Sequence, residues 1–196
     1  GKNINNYKVI CTKSTVPIGT GRKIIDIINN NNNNIEYDYC SNPEFLREGK
    51  AVSDFLHPDR IVLGVTSQKA YEYMKDVYRP LYINKTPIIQ TNIKTAEMIK
   101  YAANAFLALK ISYINEMANL CDEIGADINI VSEALGSDGR ISPKFLHPGP
   151  GYGGSCFPKD TKALINIAQK YNLEMFTINA AIKTNTNQRI RMLNKL

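Results

Sequence analysis

Between Asn92 and Gly125 the chain reads "NIKTAEMIKYAANAFLALKISYINEMANLCDEI", a stretch that contains no glycine or proline and whose Ala, Leu, Met and Ile positions recur on one broad face. Nothing in it interrupts a helix. At 1.5 Å per residue, about thirty residues make a rod on the order of 45 Å long, too long to lie on one small sheet. The spacing therefore predicts a spine that either joins two regions or buries a face against a second subunit.

The residues before and after the rod differ in pattern. Ahead of it, Val9 to Lys13 reads as a buried strand and Thr20 to about Ile28 as an amphipathic helix, followed by the asparagine run Asn29 to Asn34, a surface connection of biased composition. "IEYDYC" has strand alternation up to Cys40 and breaks at Asn42-Pro43; "RIVLGV", Arg60 to Val65, is a buried strand; "SQKAYEYMKDVYRPLY" has helical spacing; "TPIIQT" is one more strand. Strands alternating with helices predict a doubly wound parallel sheet. Beyond the rod, "DINIVSEALG" and "TKALINIAQKYN" are helices, so the second half is all-helical apart from a loop from Ser137 to Phe157. The division expected is an α/β, Rossmann-like sheet over 1–91 and a helical domain over 92–196.

With 196 residues, 43% of them hydrophobic, the chain can bury a core, and no apolar run reaches the roughly 18 residues that span a bilayer. Its net charge of +6 is scattered rather than gathered into a basic block or an aromatic-basic cluster. That argues against nucleic acid and for small anionic ligands such as nucleotides. Cys11, Cys40, Cys121 and Cys156 form no C-x-x-C pair and have no histidine at ligand spacing. The expectation is no metal, no disulfide framework and a reducing, cytoplasmic setting.

Cys156 stands between Gly153-Gly154 and Pro158, and proline favours the first turn of a helix, here one from about Pro158 to Tyr171. A thiol at that positive end, beside Lys159, is expected to have a pKa below the free value of about 8.5. The alternative is an inert buried cysteine, the reading that suits Cys11, Cys40 and Cys121. Three pairs lie four residues apart: Glu44 and Glu48, Lys100 and Asn104, Cys156 and Asp160. On a helix each pair shares a face. Lys100 and Asn104 interrupt an apolar neighbourhood, where an ammonium and an amide can stabilise an oxyanion; a solvated outer-stripe lysine is the other reading. Gly149, Gly151 and Gly154 match G-x-G-x-x-G, but the proline-flanked "SPKFLHP" before them is no buried strand, and the "GTG" at Gly19 lacks the third glycine. A pyrophosphate cradle is therefore not expected.

Four stretches in order, "STVPIGTG" (Ser14 to Gly21), "SNPEFLREGKAVSDFLHPDRIVLG" (Ser41 to Gly64), "TAEMIKYAANAFLALKISYINEMANLCDEIGAD" (Thr95 to Asp127) and "GRISPKFLHPGPGYGGSCFPKDTKAL" (Gly139 to Leu164), resemble the nucleotide-sugar dehydrogenases. The family is that of UDP-glucose/GDP-mannose dehydrogenases. "PEFLRE", "HPDR" and "FLHPGPGYGG" look more like its UDP-glucose branch than its GDP-mannose or UDP-N-acetylmannosamine branches. The resemblance implies oxidation of a sugar's primary alcohol to a carboxylate in two NAD-dependent steps, with Cys156 as nucleophile through a thiohemiacetal and a thioester. Lys100 and Asn104 would stabilise the oxyanions, Asp160 and Thr15 hold a water, and Glu44 assist hydrolysis. Glu44, Phe45, Leu46, Arg47, Lys100 and Asn104 would meet the UDP-sugar, with Phe145, Leu146, Gly149, Tyr152 and Gly153 of a glycine-rich loop wrapping it through backbone amides. Thr15, Glu48 and Lys159 would lie toward NAD, Arg140 would reach a partner's substrate, and the long helix would form a homodimer.

Family members also carry a strand and G-x-G-x-x-G helix before this region and a second nucleotide-binding domain after it. Their absence makes the chain an expected fragment or truncated product, with a non-catalytic dimerising remnant as the competing reading. A cysteine hydrolase using His57 or His147 is a third reading, to which no motif lends support.

Overall fold

The computed structural model describes residues 4–31 and 36–195, so Asn32 to Asn34 of the asparagine run lie outside the described residues. The chain divides into two compact units, Gly1–Lys100 and Tyr101–Leu196.

The first unit contains strands β1 (Lys8–Thr12), β2 (Tyr37–Ser41), β3 (Ile61–Val65) and β4 (Ile88–Thr91), with helices α1 (Thr20–Asn29), α2 (Ala51–Leu56) and α3 (Gln68–Val77) and a 3-10 turn over Arg79–Asn84. The sheet order is β1-β2-β3-β4. β1 pairs with β2 in parallel, Lys8 opposite Tyr37, and β3 with β4 in parallel, Ile61 opposite Ile88. The β2–β3 pair is antiparallel, Cys40 opposite Val65, which corrects the fully parallel sheet expected from the alternation. A parallel return needs a crossover of a dozen or more residues, usually a helix on the sheet face. Between β2 and β3 the only helix is α2, six residues with none buried, so the chain turns back at the same end.

The run "IVLGV" forms the buried strand β3, where Val62 and Leu63 are fully enclosed. Each such side chain contributes roughly 1.5–3 kcal/mol relative to exposure. Cys40, Ile61, Leu63, Met74, Tyr78 and Leu81 form the core cluster under α3, and α3 is started by Ser67, whose side chain accepts from the Ala70 amide. β1, expected to be buried, lies at the edge of the described sheet and is half exposed along its length.

The stretch without breakers forms α4 (Ile93–Ile124), 32 residues long, whose first two turns belong to the first unit. Contact with β3 is close: a Cβ on Gly64 would stand 2.5 Å from the Ala96 Cβ and 2.8 Å from the Asn92 carbonyl oxygen. The helix ends at Gly125, φ 73°, where the Ala126 amide donates back to the Cys121 carbonyl at 3.0 Å.

The second unit contains the rest of α4 with α5 (Ile128–Ser137), α6 (Cys156–Gln169) and α7 (Phe176–Leu193). α5 is capped by Asp127, which accepts from the Asn129 amide at 2.8 Å. Tyr101, Ala105, Ala108, Ser112 and Asn115 form the buried stripe of α4, at the spacing of an amphipathic helix. Phe106, Tyr113 and Leu120 are exposed. α6 begins at Cys156, two residues earlier than the proline suggested. First-turn amides have no intrahelical partner, so Pro158 is accommodated at the third position of the helix.

Candidate functional site

In the first unit the site residues hang from the end of β2. Asn42, buried directly after Ser41, donates through Nδ2 to the Val62 carbonyl at 2.8 Å and accepts from the Tyr78 hydroxyl. This side chain fixes the start of the loop, and its position after a strand and before a proline was the only signal for it. Glu44 follows. Its Oε2 accepts from the Leu46 amide at 2.6 Å and its Oε1 lies 3.4 Å from Lys100 Nζ. Lys100 is buried, not the solvated stripe lysine that spacing allows, and its ammonium lies 5.4 Å from the centre of the Phe45 ring. Arg60 covers the same ring at 3.8 Å. A buried ammonium requires such partners, since desolvation without them is prohibitive.

The Glu44–Glu48 pair does not share a helical face. Residues 42–47 have no regular structure and Glu48 lies in a turn ahead of α2, because the Pro43 ring and the local Glu44–Leu46 bond hold the chain out of a helix. Arg47 is turned onto Asp54: Nε and the backbone amide each lie 2.9 Å from Oδ2, and Nη2 lies 2.5 Å from Oδ1. This guanidinium pulls the Asp54 carboxyl down to about 2. Thr15 is half buried in the segment between β1 and α1. Two residues before it, Lys13 sits over the Tyr78 and Phe55 rings at 5.6 and 5.8 Å, and burial lowers its pKa below the ordinary lysine value.

The sequence pattern missed Glu97. This carboxylate, 2% exposed, accepts from the Gly19 amide at 2.6 Å and the Gly21 amide at 2.8 Å. It occupies the anion position at the start of α1, which is where a dinucleotide's phosphates would have to bind. The Gly19–Gly21 turn therefore does not fit the pyrophosphate of NAD. A glutamate on a mostly apolar helix gives no hint of a partner more than seventy residues away.

In the second unit Cys156 opens α6, half buried, its Sγ 3.7 Å from Ser155 Oγ. Asp160 lies one turn further on the same helix, 1% exposed. Its Oδ2 accepts from Asn104 Nδ2 at 2.6 Å and its Oδ1 from Lys159 Nζ at 2.6 Å. Lys159, expected to act on the thiol, points its ammonium at Asp160; that bond holds its pKa above the ordinary lysine value, with the Cys156 sulfur a smaller influence. Asn104 keeps a second N–H after bonding Asp160.

The glycine-rich loop joins α5 to α6. Phe145 and Tyr152 both pack edge-on to Phe157, at 6.1 and 5.9 Å between ring centres, which ties the loop to the residue after Cys156. Leu146 and Tyr152 are buried, while Gly153 is exposed. The backbone amides of Gly149 and Tyr152 are already bonded to Asn115 and Asn185 and are not open to a ligand as expected. Arg140, 90% exposed, is paired with Asp138, Nη2 to Oδ2 2.5 Å. Among the described residues no group of three or more His, Cys, Asp or Glu could hold a metal ion, and no helix is long and apolar enough to cross a membrane.

Two models of one family match the chain in succession: the NAD binding domain of the UDP-glucose/GDP-mannose dehydrogenase family over residues 1–82 and its central domain over 94–187. UDP-glucose 6-dehydrogenase of Rhizobium meliloti is 50% identical over 99% of this chain, which spans 45% of that protein. A solved UDP-glucose dehydrogenase from Pyrobaculum islandicum is 40% identical with a TM-score of 0.88, over 93% of this chain and 42% of its own. A UDP-D-ManNAc dehydrogenase structure from Pyrococcus horikoshii is 28% identical with a TM-score of 0.78, over 92% and 42%. The chain thus spans less than half the length of these relatives. With two successive family domains aligned in order over a shared fold, the chain belongs to the UDP-glucose/GDP-mannose dehydrogenase family.

Proposed function

We propose that the whole protein oxidises UDP-glucose to UDP-glucuronate, with Cys156 as the covalent nucleophile. The observation that carries this reading is the Cys156–Asp160 turn of α6: a thiol at the helix start, one turn from a buried carboxylate that Asn104 and Lys159 hold in place. NAD, for which the family's first domain is named, supplies the hydride acceptor when bound; the Gly19–Gly21 turn is not its cradle, and Thr15, Glu48 and Lys159 are the residues that would lie toward it, Glu48 on the nicotinamide side.

On this reading the sugar's primary alcohol gives its proton to the water held by Asp160 and Thr15 and a first hydride to the acceptor, forming the bound aldehyde. Cys156 Sγ adds to the aldehyde carbon as a thiohemiacetal, and after loss of a second hydride to a second acceptor the carbon is held as a thioester. Lys100 and the free N–H of Asn104 donate to the oxyanions. Asp160 and Thr15 hold the water, and Glu44 takes its proton as the thioester is hydrolysed. Phe45, Leu46, Arg47 and the loop residues Phe145, Leu146, Gly149, Tyr152 and Gly153 contact the nucleotide sugar. Arg47 would have to leave Asp54 to do so. UDP-glucose is favoured over UDP-N-acetylmannosamine or GDP-mannose by the 50% and 40% identities to UDP-glucose enzymes against 28% to the ManNAc enzyme and 30% to a solved GDP-mannose dehydrogenase.

A homodimer through α4 is supported by Phe106, Tyr113 and Leu120, exposed at seven-residue spacing on one side of the helix. The exposed Arg140 suits a role toward a partner's substrate. All four cysteines are free in the structure, which suits the reducing cytoplasm.

The test is NADH release by the full-length protein with each of the three nucleotide sugars, in wild type and Cys156→Ser. UDP-glucose should yield two NADH per acid formed, and Cys156→Ser should form no acid. Normal acid formation by that variant refutes the nucleophile; turnover confined to another sugar refutes the substrate.

A further inference from the structure

The glycine-rich loop is held from behind by amide side chains of α7 and α4. Asn185 bonds Tyr152 in both directions: its Oδ1 accepts from the Tyr152 amide at 2.7 Å and its Nδ2 donates to the Tyr152 carbonyl at 3.0 Å. One turn on, Arg189 Nη2 donates to the same carbonyl at 2.9 Å. Gln188 Nε2 donates to the Gly149 carbonyl at 2.8 Å, and Asn115 Oδ1 accepts from the Gly149 amide at 2.8 Å. Asn119 orients Gln188, its Nδ2 donating to Oε1 at 2.9 Å. At Gly149 and at Tyr152 both the amide and the carbonyl are therefore tied to side chains.

These groups are not incidental surface contacts. Asn115, Asn185 and Gln188 are 1%, 6% and 2% exposed, and burying an amide is unfavourable unless its hydrogen bonds are made. Both ends of the Asn185 and Gln188 amides are bonded, while Asn115 makes its acceptor bond to the loop with its Nδ2 left without a partner among the described residues. Apolar side chains at those helical positions would pack with less penalty, so what the amides add is a single loop conformation. The loop's own backbone agrees. Phe145 is held at φ 66°, a region bulky residues avoid. Gly151 has φ 99°, and a Cβ there would strike the Asn185 side-chain oxygen. A Cβ on Gly153 would stand 3.3 Å from Arg189 Nη2.

We propose that Asn185 and Gln188 of α7, with Asn115 of α4, are positioning residues for nucleotide-sugar binding: they hold Gly149 to Gly153 in the conformation that receives the ligand. The proposal rests on the reading of this loop as the sugar-nucleotide site. The residues act through the loop backbone and do not touch the reacting atoms.

The test uses the full-length protein with Asn185→Leu, Asn185→Asp and Gln188→Leu, and reads amide exchange over the loop beside the KM for UDP-glucose, the KM for NAD and kcat. Loss of hydrogen bonds of this kind should speed loop exchange and raise the sugar KM about tenfold, with kcat and the NAD KM within about twofold of wild type. Asn185→Asp keeps the acceptor for the Tyr152 amide while Arg189 still serves the carbonyl, so it should fall between wild type and Asn185→Leu. Should Asn185→Leu not fold, Arg189→Leu, at an exposed position, should raise the sugar KM about threefold through loss of its single bond. Loop exchange at wild-type rates in the variants overturns the proposal. Faster exchange with an unchanged sugar KM overturns it by a different route: the loop is strapped but is not where the sugar nucleotide binds, and that part of the functional reading falls with it.

Discussion

Among the described residues each unit buries one charge that faces a more exposed ion partner, and the two have opposite signs; the first unit also buries Glu97, which is met by backbone amides instead. In the first, Lys100 is enclosed and faces Glu44, whose side chain is 26% exposed; in the second, Asp160 is enclosed and faces Lys159, whose side chain is 56% exposed. The remaining partners differ as well. Asp160 has a second, buried donor in Asn104, whereas Lys100 leans on the face of Phe45. The difference teaches that removing the buried member and removing the exposed one are not equivalent experiments, because the penalty falls on whichever charge or donor is left in the interior.

The largest expected effect is on the second unit. Lys159→Ala leaves the enclosed Asp160 carboxylate without its cation and should destabilise the protein by about 3–5 kcal/mol, whereas Asp160→Ala removes the buried charge itself, leaves only the neutral Asn104 amide without its acceptor and should cost about 1–3 kcal/mol. Denaturant midpoints of the two variants measure the contrast, and equal losses would break it. Next comes the first unit, where contact depends on a missing side chain rather than a charge. Gly64→Ala drives a Cβ into the Ala96 methyl and the Asn92 carbonyl and should cost about 1–3 kcal/mol by overpacking, read as a lowered Tm. A wild-type Tm would mean that α4 can move off β3.

A smaller difference should appear in hydrogen exchange. In the 196-residue chain taken alone, β1 is an edge strand and half exposed while α4 carries the buried stripe of the second unit, so β1 amides should exchange at least about tenfold faster than those in the middle of α4. Equal protection would contradict a weaker first unit. The smallest effect is titration of Asp54. Its folded pKa of about 2 lies below the unfolded value near 3.9. The pairing with Arg47 therefore contributes fully above about pH 4 and is lost as pH falls toward 2. Arg47→Ala should return the Asp54 carboxyl toward its ordinary value in an NMR titration while leaving the buried Lys100–Glu44 pair intact.

Much of the candidate site's local geometry was legible because its residues are close in sequence. The thiol at the head of α6, Asp160 one turn on, and Lys100 with Asn104 within an apolar stretch each follow from helical periodicity over a few residues. The Glu44–Glu48 spacing misled for the opposite reason: four residues apart means a shared face only if the backbone is helical, and Pro43 with the Glu44–Leu46 bond prevents that. Glu97, Asn185 and Gln188 were illegible, since a polar residue on a helix reads as solvent-facing until the partner packed over it is known.

The sequence by itself determined the four strands and the longer helices, the length of α4, and the order of family motifs along the chain, because these depend on side-chain periodicity and on breakers a few residues apart; the six-residue α2 was too short to show such a period. Tertiary structure alone decided that β3 runs against β2, that Lys100 is buried under Phe45 while Arg47 is turned to Asp54, and that Glu97 fills the anion position at α1. Those outcomes depend on which distant surfaces exclude water from each other, and a polar group becomes a partner only once that exclusion makes leaving it unpaired unfavourable.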